Sequence, residues 1–243
     1  MKIKIIVATH KQYYMPIDSA YLPIHVGKSG NPSIGYNGDD TGENISEKNA
    51  NYCELTGLYW AWKNLDADVI GLVHYRRHFM SPFRGGDKWE RIINGAEVEK
   101  ILHNHDIIVP CKRNYIVETN ESQYIHAHGS DCWNFMCKTI RSNHAAYVPA
   151  LDKMRTLASG HKFNMFVMRK ELLNEYCSWL FPILESVDLE FPGKKRILGH
   201  LSERLFDVWL YAGNYKYKEI PVKFMERQNW LVKGGRFLMR KFL

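Results

Sequence analysis

The strongest hydrophobic pattern in the chain lies between residues 49 and 80. Five apolar side chains recur there at steps of three and four residues, which places them on one face of an α-helix and predicts a helix over residues 51–64. Residues 69–73 are apolar without alternation, as in a parallel strand that is covered on both faces. We therefore expect this strand to lie near the centre of a sheet. The apolar helix positions are Tyr52, Leu55, Tyr59, Trp62 and Leu65.

Strand and helix patterns alternate along the rest of the chain, which is typical of an α/β protein with a mostly parallel sheet. Glycine, asparagine and aspartate are dense over residues 27–42, which predicts a long loop, and Ser46 after it is a candidate helix cap. Pro182 predicts a kink within its helix. Strands are predicted at 2–8, 69–73, 106–110 and 162–168, and helices at 51–64, 89–104, from 131, at 171–185 and from 196.

Two polar clusters are candidates for a metal site. Asp39 and Asp40 are adjacent carboxylates on the long loop, with solvated turn residues as the alternative. Tyr124, His126 and His128 alternate with apolar residues, which predicts an extended segment. Histidines two apart on such a segment are candidate ligands, but without a third ligand the wall of a polar cleft is the commoner role.

Composition fits a globular protein. A chain of 243 residues with 45% hydrophobic and 13% aromatic residues can bury a sizeable core, in one large domain or two small ones. No apolar run approaches the roughly 18 residues of a membrane span, and residues 3–8 are too short for the core of a signal peptide. We expect a cytoplasmic protein. Five cysteines without a Cys-x-x-Cys pair indicate reduced thiols.

The formal net charge of +7 indicates attraction to anions. Nucleic acid is disfavoured as a partner, because the sequence has no nucleic-acid-binding motif and its basic residues are dispersed. The densest basic segment, residues 233–243, interleaves cations with Phe, Leu and Met. Such a segment can lie on an anionic membrane surface. A helix docked on its own domain is an equal alternative.

The candidate ligand site follows the central strand, in the sequence His74-Tyr75-Arg76-Arg77. Open α/β sheets bind their ligands at the carboxyl ends of strands, and guanidinium groups match phosphate oxygens in geometry. A phosphate-bearing ligand is therefore expected, with surface salt bridges as the alternative for the two arginines. No Gly-x-Gly-x-x-Gly fingerprint and no phosphate loop accompanies this site.

Two further polar residues stand out. Asn164 lies inside the predicted strand 162–168 and needs a partner if it is buried, either a substrate hydroxyl or a backbone group. Glu203 is placed near the start of the last long helix, where the helix dipole favours an ionised carboxylate. Such a group suits a general base, and pairing with Arg204 or Arg196 is the alternative.

Several segments resemble the bacterial capsular and exopolysaccharide glycosyltransferases long catalogued as a domain of unknown function, which include galactofuranosyltransferases. The resemblance covers nearly the whole chain in the same order, and its most specific part is the Trp-rich helix followed by His-Tyr-Arg-Arg. The resembling segments are residues 40–46, 54–64, 71–77, 164–168 and 202–205.

The resemblance implies a GT-A-like nucleotide-sugar-binding fold and an inverting glycosyltransferase. It implies one domain over residues 1–243, with a donor half at 1–110, an acceptor half at 111–225 and a basic amphipathic segment at 226–243. The expected reaction transfers galactofuranose from UDP-galactofuranose to a lipid-linked glycan in capsule, exopolysaccharide or O-antigen synthesis. Alternatives are galactopyranosyl or other hexosyl transfer, a non-catalytic glycan- or nucleotide-binding subunit, and a membrane-associated scaffold.

The resemblance also suggests roles for individual residues. GT-A enzymes commonly hold a divalent metal with an Asp-x-Asp motif at the end of a central strand, and here that place holds His74-Tyr75-Arg76-Arg77. Arginines would then replace the metal, with Mg or Mn as the alternative. Glu203 is the expected base and Asp131 the alternative base. Arg76, Arg77 and His74 are assigned to the diphosphate; Thr9, His10, Lys11, Asn44 and Asn49 to the nucleotide; Asn164, Tyr75 and His128 to the sugar.

Overall fold

The structure is a computed structural model that describes residues 1–115 and 117–226. Its strands are β1 (Ile3–Thr9), β2 (Tyr21–His25), β3 (Asn37–Gly38), β4 (Val69–His74), β5 (Arg77–Phe79), β6 (Ile107–Pro110), β7 (Arg113–Asn114), β8 (Ser159–Gly160), β9 (Phe166–Arg169), β10 (Tyr217–Ile220) and β11 (Val222–Phe224). Its α-helices are α1 (Asn49–Tyr52), α2 (Leu55–Asn64), α3 (Gly95–Leu102), α4 (Asn120–His128), α5 (Asp131–Asn143), α6 (Val148–Thr156), α7 (Lys170–Glu190) and α8 (Ile197–Ala212).

One large sheet organises the molecule, with strands in the order β10-β6-β9-β4-β1-β2-β3. β1 runs parallel to β2 and β4, β2 runs parallel to β3, and β6 runs parallel to β10. β9 is antiparallel to both of its neighbours, β4 and β6. The short strands β5 and β11 extend the sheet beyond the end of β4. The predicted α/β class with a mostly parallel sheet is confirmed, and β4 lies at its centre.

Both faces of the sheet are covered, which explains the unbroken apolar run in β4. Ile70 and Leu72 belong to a large core with α2, α5, α6, α7 and α8, whereas Val69 and Val73 belong to a second core with α3. Gly71 lies between them, where a Cβ would come within 2.9 Å of a Val167 methyl group and 3.1 Å of the Phe166 carbonyl oxygen. Close packing against β9 therefore requires glycine at this position.

The predicted helix 51–64 is wrong in one respect, because it is two helices with a break between them. Cys53 has a φ of +53°, which no continuous helix permits, and Glu54 begins the second helix as its N-cap. The Asn49 side chain stabilises the break, since its amide donates to the Cys53 carbonyl at 2.7 Å and to Thr56 Oγ1 at 2.9 Å. The break turns Glu54 out of the helix face and towards the ends of the sheet strands.

Capping boxes account for two other differences between the predicted elements and the structure. Residues 124–128 are not extended but belong to α4, which begins with a reciprocal capping box between Thr119 and Ser122. The predicted helix 89–104 shortens to α3, because Asn94 and Glu97 form a capping box that fixes its start.

The predicted strand 162–168 begins late, at Phe166, because Phe163 and Asn164 have φ values of +79° and +50°. Its first residues instead form an irregular segment. The other predicted elements shift their ends by one to five residues, and Pro182 lies inside α7.

The long loop 27–42 contains the two-residue strand β3. Ser46 does not cap a helix with its side chain; its hydroxyl instead donates to the buried carboxylate of Asp39. That carboxylate also accepts from the backbone N–H groups of Gly27 and Lys28, at 2.9 and 3.0 Å. Asp39 therefore holds the loop together, and Asp40 lies 3.8 Å from the Lys28 ammonium group.

All five cysteines are free: Cys111 is exposed, Cys53 is half-buried and the others are buried. Within residues 1–115 and 117–226, no helix is both long and apolar enough to cross a bilayer. The predicted amphipathic segment 226–243 lies outside the described residues except for Glu226.

Candidate active site

A cavity of about 840 Å³ opens at the carboxyl ends of β1 and β4. The rest of its described wall comes from the break between α1 and α2, from α4, from the first turns of α8, from β7 and from the segments after β7 and β8. The described part of the wall carries six cationic side chains and two carboxylates, an excess of positive charge that favours anions. These charged residues are Arg76, Arg77, Arg113, Lys162, Arg196, Arg204, Glu54 and Glu203.

Arg77 is held in a fixed orientation by two aromatic rings. Its guanidinium carbon lies 4.8 Å from the centre of the Phe163 ring and 5.2 Å from that of Phe224. Burial and the charge of Arg76 lower the pKa of this guanidinium, but arginine remains cationic at neutral pH. Among residues 1–115 and 117–226, no carboxylate lies within ion-pair distance of it. The alternative of a surface salt bridge is therefore not found for Arg77 among the described residues, and its side chain lines the cavity.

Arg76 is more exposed and already has an anionic neighbour. Its side chain is 40% exposed, and its Nη1 atom lies 3.4 Å from Glu226 Oε2. The other oxygen of Glu226 lies 3.3 Å from the ammonium group of Lys11. Glu226 is thus an anion already bound to Arg76, a residue of the cavity wall.

His74 lies in the wall, and its Nε2 atom is 2.5 Å from the carbonyl oxygen of Phe163. Because a carbonyl only accepts hydrogen bonds, Nε2 carries the hydrogen. Burial lowers the pKa of His74, so the ring is neutral at neutral pH. A neutral His74 fixes Phe163, and Phe163 in turn supports Arg77.

Glu203 lies in the cavity wall, in the second turn of α8. Oε1 accepts from the backbone N–H of Phe163 at 3.1 Å and Oε2 accepts from Arg204 Nη1 at 3.0 Å. Burial raises the pKa of this carboxyl, but the charges of Arg204 and Lys162 outweigh burial and hold the pKa below its usual range. Glu203 is therefore ionised, through neighbouring cations rather than through the helix start. The pairing with Arg204, given as the alternative to a general base, is present, and Glu203 also lines the cavity.

Glu54 is a second carboxylate in the wall that sequence reasoning missed. Its Oε1 atom accepts from Asn164 Nδ2 at 2.7 Å. The sequence placed Glu54 within a continuous helix, and only the φ of Cys53 reveals that it faces the cavity. Its place at the start of the resembling segment 54–64 was the one available signal.

Asn164 holds this arrangement from behind. Its amide also donates to the Gly199 carbonyl at 3.0 Å, and its Oδ1 atom accepts from the Ser202 hydroxyl at 2.6 Å. The side chain is buried and does not lie in the cavity wall. The structure therefore places the predicted sugar contact between Glu54 and α8, with a backbone carbonyl among its partners.

The other predicted sugar contacts lie in the wall. Tyr75 packs edge-on against His10 with ring centres 5.3 Å apart. His128 stacks on His200 with ring centres 4.3 Å apart. Asp131, the alternative base, lies outside the wall and pairs with Lys194 at 3.5 Å.

The predicted nucleotide-binding residues divide into two groups. His10 and Asn49 lie in the wall, although the Asn49 amide is used within the α1–α2 break. Thr9 is buried and donates to the Lys11 carbonyl at 2.6 Å. Asn44 hydrogen-bonds within its own loop. The side chains of Thr9, Lys11 and Asn44 are not among those that line the cavity.

No group of three or more His, Cys, Asp or Glu side chains is placed to hold a metal ion in the described part of the chain. The Asp39 carboxylate accepts hydrogen bonds within its own loop, and His126 pairs with Glu118 at 2.7 Å. Metal independence stays a prediction.

Comparisons with known proteins address the family and the fold of the chain. The chain matches the family described as Domain of unknown function (DUF4422) over residues 4–214. It is also similar to a solved apo structure of the bifunctional glycosyltransferase WbbM, with 31% sequence identity and a TM-score of 0.85. That similarity covers 93% of this chain and 46% of the other, so this chain spans about half the length of WbbM. No curated protein matches the chain.

The family match contains every charged residue of the cavity wall described above. The expected membership of a family catalogued by an unknown function is confirmed, and the likeness to a solved glycosyltransferase supports the GT-A-like fold class. The chain belongs to the DUF4422 family.

Proposed function

We propose that the chain is a glycosyltransferase of polysaccharide synthesis that uses a nucleotide-diphosphate sugar. The observation that carries the proposal is the cation-rich cavity, in which an ionised carboxylate lies beside unpaired positive charge. The likeness to WbbM over most of the chain supports the same reaction class. UDP-galactofuranose is the proposed donor and a lipid-linked glycan the proposed acceptor.

Arg76 and Arg77 are the proposed ligands of the diphosphate. The two guanidiniums would stabilise the charge that grows on the leaving group, and a single preorganised donor such as Arg77 is worth about 3–4 kcal/mol. The rings on both sides of Arg77 supply that fixed orientation. A phosphate would displace Glu226 from Arg76, because both anions bind the same guanidinium.

Glu203 is the proposed base. The acceptor hydroxyl attacks the anomeric carbon as the carbon–oxygen bond to the diphosphate breaks on the opposite side, and the hydroxyl proton passes to Glu203. The configuration at the anomeric carbon therefore inverts. Glu54 is the second carboxylate within the same wall, and it replaces Asp131 as the alternative base.

The test is incubation of the protein with a panel of nucleotide sugars and glycan acceptors while released UDP and glycan product are measured. We expect transfer from a UDP-hexose, at least about a hundredfold slower in Arg77→Ala and slowed in Arg76→Ala. Arg91→Ala is the matched control, because Arg91 lies outside the cavity wall. Transfer unaffected by both cavity substitutions, or lost with chelator and restored by manganese, would refute the assigned role of the arginines.

A further inference from the structure

Five of the six cations of the described cavity wall fall into two groups, and Arg196 belongs to neither. At the end of β4, the charge of Arg76 lowers the pKa of the Arg77 guanidinium. The charges of Arg113 and Arg204 instead lower the pKa of Lys162. Arg113 lies on β7, Lys162 follows β8 and Arg204 lies on α8, and all three line the cavity. The proposed donor diphosphate uses the first group only. The second group holds Glu203 ionised through Arg204 and Lys162, but the proposed function assigns no ligand to it.

Glu203 is coupled to both groups. Its charge raises the pKa of Arg77, and the charges of Arg204 and Lys162 lower its own pKa. In an inverting displacement the leaving diphosphate and the attacking hydroxyl lie on opposite sides of the anomeric carbon. Because the base must contact the hydroxyl, the acceptor must lie next to Glu203, and Glu203 is bonded at 3.0 Å to Arg204 of the second group.

Lys162 is an unusual residue for such a wall, because it is buried without a counter-ion. Its residue exposure is 3%, and its ammonium group donates to Asn120 Oδ1 at 2.7 Å and lies 5.3 Å from the centre of the Tyr115 ring. Within residues 1–115 and 117–226, no carboxylate lies within ion-pair distance of it. The nearby carboxylate of Asp207 binds His161 at 2.6 Å instead.

A buried ammonium group without an anion bound to it is energetically costly, and this cost lowers its pKa. Burial and the charge of Arg204 lower the pKa of Lys162 to about 8, although the charges of Asp207 and Glu203 act in the opposite direction. An anionic ligand in contact with the ammonium group would remove this cost.

The other two cations have separate roles. Arg204 is buried and uses its two terminal nitrogens on Glu203, on Gln123 and on the His200 carbonyl, so it contributes mainly charge. Arg113 is exposed on β7 and has no ion pair among the described residues. Lys162 is as buried as Arg204, but its ammonium group lines the cavity and, among the described residues, uses only one of its three hydrogens, on Asn120, so Arg113 and Lys162 are the cations proposed to contact a ligand.

We propose that the acceptor carries a negative group, a carboxylate or a phosphate, which Arg113 and Lys162 bind while the acceptor hydroxyl meets Glu203. The inference rests on the proposed function. It narrows the acceptor to acidic glycans, either with a uronic acid or with a phosphate near the accepting sugar.

The test measures binding of three small probes to protein saturated with UDP, by calorimetry or NMR. The probes are methyl β-D-glucuronide, glucose 6-phosphate and the neutral methyl β-D-glucoside. We expect at least one anionic probe to bind about tenfold or more tightly than the glucoside, since a hydrogen bond to a charged group contributes about 1.5–3 kcal/mol. The stronger anionic probe identifies whether the source is a carboxylate or a phosphate.

Substitutions assign the binding to the second group. Arg113→Gln and Lys162→Met should each weaken the anionic probe about tenfold while UDP affinity stays within about twofold. Arg113 is exposed, so its substitution tests the inference even if Lys162→Met unfolds the protein. Arg91→Gln, outside the cavity wall, is the matched control. Affinity for the probe should also fall as pH rises through about 8, and this dependence should be lost in Lys162→Met.

Equal or undetectable binding of all three probes would overturn the inference, as would displacement of the anionic probe by UDP. Unchanged binding in Arg113→Gln would also overturn it. Failure of the proposed function is distinguishable, because it requires that UDP does not bind or that Arg76→Ala and Arg77→Ala leave UDP binding unchanged.

Discussion

Arg77 shows how residues distant in sequence prepare one charge for a ligand. Phe163 and Phe224 enclose its guanidinium group, and His74 fixes Phe163 through a hydrogen bond to its carbonyl. The backbone N–H of the same Phe163 binds Glu203. One irregular residue therefore links the proposed diphosphate ligand to the proposed base, and a small displacement of Phe163 would disturb both.

The two wall carboxylates can be separated by paired substitutions. Glu203→Gln should lower the transfer rate by about a hundredfold or more, because a general base contributes about that much, while UDP affinity changes little. Glu54→Gln should retain the hydrogen bond role towards Asn164 and reduce transfer less. Rates are measured at saturating donor. The reverse order of the two variants would assign the base to Glu54.

His78 makes the stability of the protein depend on pH. The residue is fully buried between Tyr21 and Trp89, and burial lowers its pKa to about 4. The unfolded chain, with an ordinary histidine pKa near 6.5, therefore binds more protons between these two values. The stabilising contribution is complete above pH 6.5 and is lost as pH falls towards 4.

We expect the free energy of unfolding to fall by up to about 3 kcal/mol across this interval because of His78, since one pKa unit corresponds to about 1.4 kcal/mol. Chemical denaturation at several pH values measures it. His78→Gln should flatten the slope, while the exposed control His103→Gln should keep it. An equal slope in wild type and His78→Gln would contradict the prediction.

The sequence predicted some site residues because their position follows from an element pattern. His74 to Arg77 come directly after an unbroken apolar strand, so their place at the sheet edge could be deduced. Glu54 and Asn164 could not be placed, because their positions depend on the positive φ of Cys53 and of Asn164 itself. Local backbone conformations of this kind leave no periodic signal.

At the scale of elements, capping overrides apparent periodicity. Residues 124–128 alternate like a strand, yet the Thr119–Ser122 box starts a helix before the alternation begins. As a result, His128 faces the cavity and His126 faces Glu118. The histidines therefore do not share one site, although their spacing suggested that they would.

The contact between β4 and β9 provides a test at this scale. Gly71→Ala would place a methyl group 2.9 Å from Val167 Cγ2 and 3.1 Å from a backbone oxygen, in a core that cannot yield easily. We expect destabilisation by about 1–3 kcal/mol, measured by thermal or denaturant unfolding. Gly85→Ala is the matched control, because nothing lies within 4 Å of its added methyl group. Equal stability of the two variants would show that β9 moves aside.

At the scale of the molecule, the net charge of +7 has a local counterpart in the cavity. Six cations against two carboxylates in the described wall produce a positive potential where the strands end. The sequence predicted the sign of the partner, but the division of the cavity into two cationic groups required the fold. Residues 113 and 162 lie far apart in sequence and meet only through the pairing of β7 with β8.

This potential predicts how ligand binding depends on salt. The Kd for UDP should rise about tenfold between roughly 0.05 and 0.5 M NaCl, because salt screens the attraction between the phosphates and the cavity. Uridine, which has no phosphate, should bind weakly with little dependence on salt. Calorimetric titrations of both ligands make the comparison. A salt-independent Kd for UDP would mean that the phosphates do not lie among the cations.

The exposed thiol of Cys111 allows a fluorescent label to be attached near the cavity. Burial raises the pKa of the Cys53 thiol to about 12 and that of Cys137 to about 11, which leaves both thiols unreactive at ordinary pH. Cys111 is the one exposed thiol of the five and lies two residues before Arg113. A maleimide fluorophore would therefore attach selectively beside the second group of cations, without removal of any other cysteine. Its emission would report the arrival of an acidic glycan directly.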